Sequence, residues 1–300
     1  MVMIPLENKI LRVLIDPEKG AGIMALFAKR DGALLPLMPD ARQESTQLDS
    51  SCFLMIPYSN RIENGTFSFE GKEYRLADSE NHALHGDTRF RAWSTEEVTR
   101  TRISCEFHSS SYPDINWPWP FEAYAGYSLE GNVFSSQLIL WNRGDPRMPA
   151  GFGWHPYFNR YITREGEPVY LSMKVKSAYP DANDNRIPSG PAGPVPPEQD
   201  FSKERPLPTD RFIDTCFQGY DGNGYITWPE SRIKLSFSCS PVCTHLVMYN
   251  PLNTPYFAVE PVTNANNGVN LYDRGEPDSG VVILAPGESL KARFELRVEK

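Results

Sequence analysis

The sequence predicts an all-β fold, a large sandwich of mostly antiparallel strands, on three observations. Apolar and polar residues alternate with a period of two in many short runs, as at Ile103, Cys105 and Phe107 or Ala292, Phe294, Leu296 and Val298. That period sends one set of side chains to one sheet face and the intervening polar set to the other. Long amphipathic helices are absent. The 27 prolines favour turns and strand ends over long helices.

Residues 9–15 and 21–27 read as two strands around the turn Asp16-Pro17-Glu18-Lys19-Gly20. Residues 40–48 are the best short helix, with Asp40 placed as an N-cap. The apolar run Cys52 to Ile56 is stopped by Pro57. A hairpin follows, alternating through Phe67 and Phe69, turning at Gly71 and resuming through Tyr74 and Leu76. A second hairpin joins 122–129 to 133–141 across Glu130-Gly131-Asn132. Further alternating strands run through Val169 to Val175 and Ile233 to Phe237. Residues 180–210 hold eight prolines in 31 residues, flanked by strand patterns with no change of composition. This predicts a long surface loop, beside or over a functional cleft and more mobile than the strands.

Composition narrows the function. The net charge is −8, and Lys and Arg are scattered, which argues against nucleic acid or an anionic membrane as a partner. No apolar run approaches the roughly 18 residues of a membrane span, and the first residues lack the basic and apolar regions of a secretory signal. The five cysteines are scattered, and the Cys239–Cys243 spacing matches no zinc or redox motif. A cytoplasmic protein with reduced thiols is expected.

Candidate chemistry centres on Gly151-Phe152-Gly153-Trp154-His155-Pro156-Tyr157-Phe158. Its histidine can give and take protons near neutral pH, and Pro156 is expected to end the local strand ladder. Taken alone, the octapeptide also fits a strand end whose histidine bonds a loop carbonyl. Arg61, in Ser59-Asn60-Arg61-Ile62, can clamp oxygen atoms with its fork or be an ordinary surface arginine. His82 and His85 stand three apart in Asn81-His82-Ala83-Leu84-His85-Gly86. Were that stretch extended, one at most would line a given cleft. Asp214 lies in an apolar context that also suits a turn cap. Glu260, in Phe257-Ala258-Val259-Glu260-Pro261, must be paired, hydrogen-bonded or shifted in pKa if buried, or else point to solvent at a strand end.

The segment Asn60-Arg61-Ile62-Glu63-Asn64-Gly65-Thr66-Phe67-Ser68-Phe69-Glu70-Gly71-Lys72-Glu73-Tyr74-Arg75-Leu76, with Asn81 to Gly86 after it, resembles the aldose 1-epimerase (galactose mutarotase-like) pattern. So do His155-Pro156-Tyr157-Phe158, then Asp214 to Phe217, then Glu260 with the asparagine-rich turn to Asn270, in order and spacing. The resemblance implies a single β-supersandwich domain over residues 1–300 and an open sugar-binding cleft across one sheet. It further implies Glu260 as general base, His155 as general acid, and Arg61, His85 and Asp214 as ligands of sugar hydroxyls. The expected partner is a small-molecule monosaccharide, and the chemistry calls for no metal and no cofactor. The chain departs from the family after Leu84-His85-Gly86, where Asp87 replaces a common second glycine. It departs again at Pro261-Val262-Thr263, which replaces a glutamine-asparagine form.

Competing readings use the same residues. A hexose-6-phosphate 1-epimerase would want a basic cluster at the cleft, and Arg89 and Arg91 flank Phe90 near the histidine motif. A non-catalytic carbohydrate-binding protein would have little reason to keep both His155 and Glu260. A glycoside hydrolase would use Asp214 and Glu260 as its carboxylate pair. A metal hydrolase on His85, His155 and Glu260 has nothing in the spacing to specify its geometry.

Overall fold

The computed structural model describes residues 3–77 and 82–299. Strands make up 47% of it and helices 6%, which settles the class as all-β. Two large antiparallel sheets form it. The ten-stranded sheet runs in the order Ile4–Glu7, Leu11–Asp16, Gly22–Arg30, Cys52–Met55, Gly153–Asn159, Tyr256–Val262, His245–Asn250, Ile213–Gln218 and Ser177–Ala178, with Ala33–Pro36 paired to Gly22–Arg30. The nine-stranded sheet begins with Ser94–Val98, Arg102–His108, Phe121–Glu130, Val133–Asn142 and Ser289–Glu299. It continues through Ile233–Cys239, Asn223–Trp228, Tyr170–Met173 and Arg205–Pro206.

Alternation in the sequence becomes alternation in burial. In Val133–Asn142 every second residue is buried, from Phe134 through Leu138 and Leu140. Leu54, Trp154, Phe158, Phe257, Val259, Leu246 and Met248 of the ten-stranded sheet join Phe134, Leu138, Phe294 and Leu296 of the other in one core. Trp154 is fully buried, and its Nε1 donates to Ser136 Oγ at 2.8 Å, tying one sheet to the other. A buried indole N–H needs such a partner.

Two local expectations are corrected. Residues 40–48 do not form a helix, only a 3₁₀ turn at Glu44–Thr46. The stretch offers no apolar face to bury, and a short helix gains most of its stability from burying one. Asp40 Oδ1 instead accepts from the Arg42 backbone N–H and from Arg42 Nε at 2.7 Å. Pro156 does not end its strand, which runs from Gly153 to Asn159 with Pro156 opposite Cys52. Asn81, part of the histidine motif, lies outside the described residues.

The region 180–210 is irregular, as expected, with only the turn Pro197–Gln199 and the short strand Arg205–Pro206. All five cysteines are free. No helix is long and apolar enough to cross a membrane among the described residues.

Candidate active site

Five consecutive strands in the middle of the ten-stranded sheet build the site: Cys52–Met55, Gly153–Asn159, Tyr256–Val262, His245–Asn250 and Ile213–Gln218. With alternate residues committed to the core, Phe53, His155, Tyr157, Glu260, Tyr249 and Asp214 share the opposite face and line one cavity of about 690 Å³. Pairing is regular at Gly153↔Val262 and at Tyr157↔Ala258, so His155 falls opposite Glu260. Pro156 and Pro261 flank this step and have no N–H to give the ladder. His155 Nε2 lies 3.1 Å from Glu260 Oε1, and both residues are buried, Glu260 to 1% exposure.

The imidazole of His155 is boxed by rings. Phe53 stacks on it at 4.4 Å between centroids, His85 meets it edge-on at 5.3 Å, and Tyr157 lies at 4.6 Å. Glu260 Oε2, His155 Nδ1 and His85 Nδ1 are buried with no hydrogen-bond partner among the described residues. Buried polar atoms are ordinarily satisfied, and exceptions concentrate where a site has a task.

The other predicted residues arrive from outside the sheet. Arg61 and His85 come from two paired short strands, Arg61–Ile62 and Ala83–Leu84, with His85 N–H donating to Asn60 O at 2.8 Å. Gly86 sits against Ile56 at φ 68°, where a Cβ would lie 1.9 Å from the Ile56 carbonyl oxygen. Only glycine allows that approach, which seats the histidine motif on the sheet. His82 and His85 both have positive φ, at 76° and 64°, so the stretch is not extended and both histidines line the cavity. Thus Arg61, His85, His155, Asp214 and Glu260 all face the same space.

Burial dominates the electrostatics. It pushes His155 down to about 3, with Arg89 and Arg61 acting in the same direction. It pushes Glu260 well above the usual carboxylate range, helped by Asp214 and opposed by Arg61. It lowers His85 as well, and raises Asp214 against the pull of Arg61 and Arg186. Burial thus disfavours the charged form of both members of the pair.

Sequence reasoning missed Arg186. It lies in the proline-rich loop, at a positive φ, and its Nε donates to Asp214 Oδ2 at 2.9 Å. Asp181 and Asp184 also pair with it, and Asp184, Asn185 and Arg186 line the cavity. The loop thus borders the cleft, as its length and proline content suggested. Asparagines of the turn after Glu260 hold both arginine segments: Asn267 N–H donates to Arg61 O at 2.7 Å, and Asn266 Nδ2 donates to Arg186 O at 2.9 Å. Nothing local in the sequence pairs Arg186 with Asp214, because the partners meet only through the fold. Arg91, by contrast, is occupied by Asp87 and Asp114 and lines neither this cavity nor the one beside it. Among the described residues no three His, Cys, Asp or Glu side chains are grouped to hold a metal ion.

The chain is similar to known proteins. Residues 3–297 match the family model described as aldose 1-epimerase. The uncharacterized protein YphB of Escherichia coli (strain K12) is 25% identical over 283 residues, covering 88% of this chain and 89% of that one. The galactose mutarotase of Pongo abelii is 28% identical over 176 residues, 55% of this chain and 48% of its own length. The fold is shared with a galactose mutarotase-like protein from Clostridium acetobutylicum, at TM-score 0.83, 18% identity and coverage of 99% and 94%. It is shared too with an aldose epimerase homologue from C. elegans, at 0.81, 19% identity and coverage of 99% and 98%. The chain belongs to the aldose 1-epimerase family.

Proposed function

We propose that the protein is a mutarotase that interconverts the α and β anomers of an aldose by general acid–base ring opening. The observation that carries this reading is the direct contact of His155 Nε2 with Glu260 Oε1, at 3.1 Å, in a cleft that also gathers Arg61, His85 and Asp214. The Glu260 carboxylate takes the proton of the anomeric hydroxyl while His155 protonates the ring oxygen. The bond between C1 and the ring oxygen breaks as the C1 carbonyl forms. Rotation about C1–C2 and the reverse transfers deliver the other anomer.

The proton count closes without an outside donor. The ion pair that starts the reaction and the neutral pair that burial favours carry the same single proton, moved between Oε1 and Nε2. Ring opening returns the pair to its neutral form, the form burial favours. A bound sugar's hydroxyls and the Arg61 charge favour the carboxylate beforehand. A neutral His85 offers one donor and one acceptor to sugar hydroxyls. Asp214, steadied by Arg186, offers acceptors. We assign the reaction to the cytoplasm, in keeping with five free thiols, with a monosaccharide as partner and neither nucleic acid nor membrane required.

Polarimetry of fresh α-glucose, α-galactose and other aldoses, with and without the protein, tests the proposal. Acceleration over buffer is expected for at least one sugar and should persist in a chelator. Rates equal to buffer for every aldose, from correctly folded protein, would end it.

A further inference from the structure

Beside the acid–base pair lies a pair of cations that the mechanism above does not use. Gly20 N–H donates to Arg91 O at 2.9 Å and Trp93 N–H to Pro17 O at 2.8 Å, pinning the segment after the histidine motif onto the turn that carries Lys19. Gly20 has φ 63°, and a Cβ there would meet the Arg89 carbonyl oxygen at 2.4 Å. The turn closes on Arg89 only because that residue is glycine. The Arg89 guanidinium lies 4.4 Å from the Phe90 ring centroid and 5.1 Å from that of Phe53, the ring stacked on His155. It borders both the 690 Å³ cavity and an adjoining one of about 120 Å³, which Lys19 also lines.

Rings take the face of a guanidinium and leave its N–H edge to bind. That edge has no taker here. Neither Arg89 nor Lys19 makes an ion pair or a side-chain hydrogen bond among the described residues. Asp49 lines the smaller cavity but forms no ion pair with either. A partly buried cation with no direct ion-pair partner is costly, and burial lowers the Arg89 pKa against the weaker opposing pull of Tyr157, Asp49 and Tyr58.

We propose that Arg89 and Lys19 form an anion subsite next to the acid–base pair, receiving the phosphate or carboxylate of a charged aldose. This rests on the mutarotase reading and names its substrate class. A fork with free edge donors suits a phosphate or a carboxylate alike. The subsite also touches the chemistry, because Arg89 is one of the charges that disfavour protonated His155. An anion bound at Arg89 offsets that charge and eases formation of the acid.

Calorimetry with glucose, glucose 6-phosphate and glucuronate, on the parent protein and on Arg89→Ala and Lys19→Ala, measures affinity independently of turnover. Anomer-exchange NMR on the same samples measures the reaction. At least about a tenfold preference for a charged sugar is expected in low salt, shrinking as salt rises. Arg89→Ala should reduce the ratio of charged to neutral affinity about tenfold, and Lys19→Ala less. Whether phosphate or carboxylate is preferred identifies the anion. Equal affinity for charged and neutral sugars, or a ratio that Arg89→Ala leaves unchanged, overturns the subsite. Accelerated glucose mutarotation with equal affinities keeps the enzyme reading and sinks the subsite. An Arg89-dependent preference without exchange of any sugar keeps the subsite and sinks the enzyme reading. Binding of no sugar at all overturns both.

Discussion

His155 Nε2 and Glu260 Oε1 are 3.1 Å apart because adjacent strands set them in register at a step where two prolines leave the ladder without N–H donors. Backbone geometry therefore places the proton-transfer pair on adjacent strands of the large sheet, which also carries Asp214, while Arg61 and His85 reach in from outside that sheet.

Replacing Glu260 by Gln keeps the size and some hydrogen bonding but removes the proton acceptor. Glu260→Gln should lose on the order of 10²-fold or more in mutarotation rate while still binding sugar. Polarimetry and calorimetry on one preparation check this, and a rate within a few-fold of the parent would remove Glu260 as the base.

The same variant has a stability signature. The folded-state pKa of Glu260 is raised by burial, so its contribution is present below the unfolded value near 4.5 and is lost as pH rises toward the folded pKa. Gln cannot ionise and escapes that loss. Glu260→Gln should gain on the parent as pH rises from 5 to 8, by up to about 1.4 kcal/mol per unit until the folded pKa is reached. Thermal or urea unfolding at several pH values reads it; a constant difference would contradict a raised pKa.

His155 has the opposite sense. Its folded pKa is depressed to about 3, so stability is lost as pH falls below the unfolded value near 6.5. His155→Gln should be less sensitive to acid between pH 6.5 and 3 than the parent. Equal acid sensitivity in the two proteins would show that the imidazole is not held neutral.

Arg61 should matter for binding before chemistry. Arg61→Ala is expected to weaken sugar affinity by about 1–3 kcal/mol, the cost of a polar group left without its partner. Unaltered affinity and rate together would remove Arg61 from the site.

Arg186 joins the proline-rich loop to Asp214. Arg186→Ala should weaken sugar binding and speed cleavage within 180–190 by a nonspecific protease, since three carboxylates lose their anchor. An unchanged cleavage pattern would mean that the loop is held by other contacts.

Much of this was legible in the sequence because its cause is local. Period-two alternation dictates which face each strand buries, so the all-β class and most strands, such as Val133–Asn142 and Ser289–Glu299, follow from residue order alone. The candidate residues could be named because each sits in a short motif with its own signal: His155 between glycines and a proline, Glu260 within apolar residues, Arg61 and His85 at strand ends. The helix expected at 40–48 failed because a capping residue without an apolar face has nothing to stabilise it. Only the tertiary structure decided how these residues combine. It set His155 against Glu260, joined Arg186 to Asp214 and left Arg89 unpaired while Arg91 found two carboxylates. Those relationships join residues 28 to 105 positions apart, or distinguish neighbours of identical chemistry. Burial then shifts the pKa of both members of the pair, because the cost of a charge depends on what surrounds it, which no local pattern of residues records.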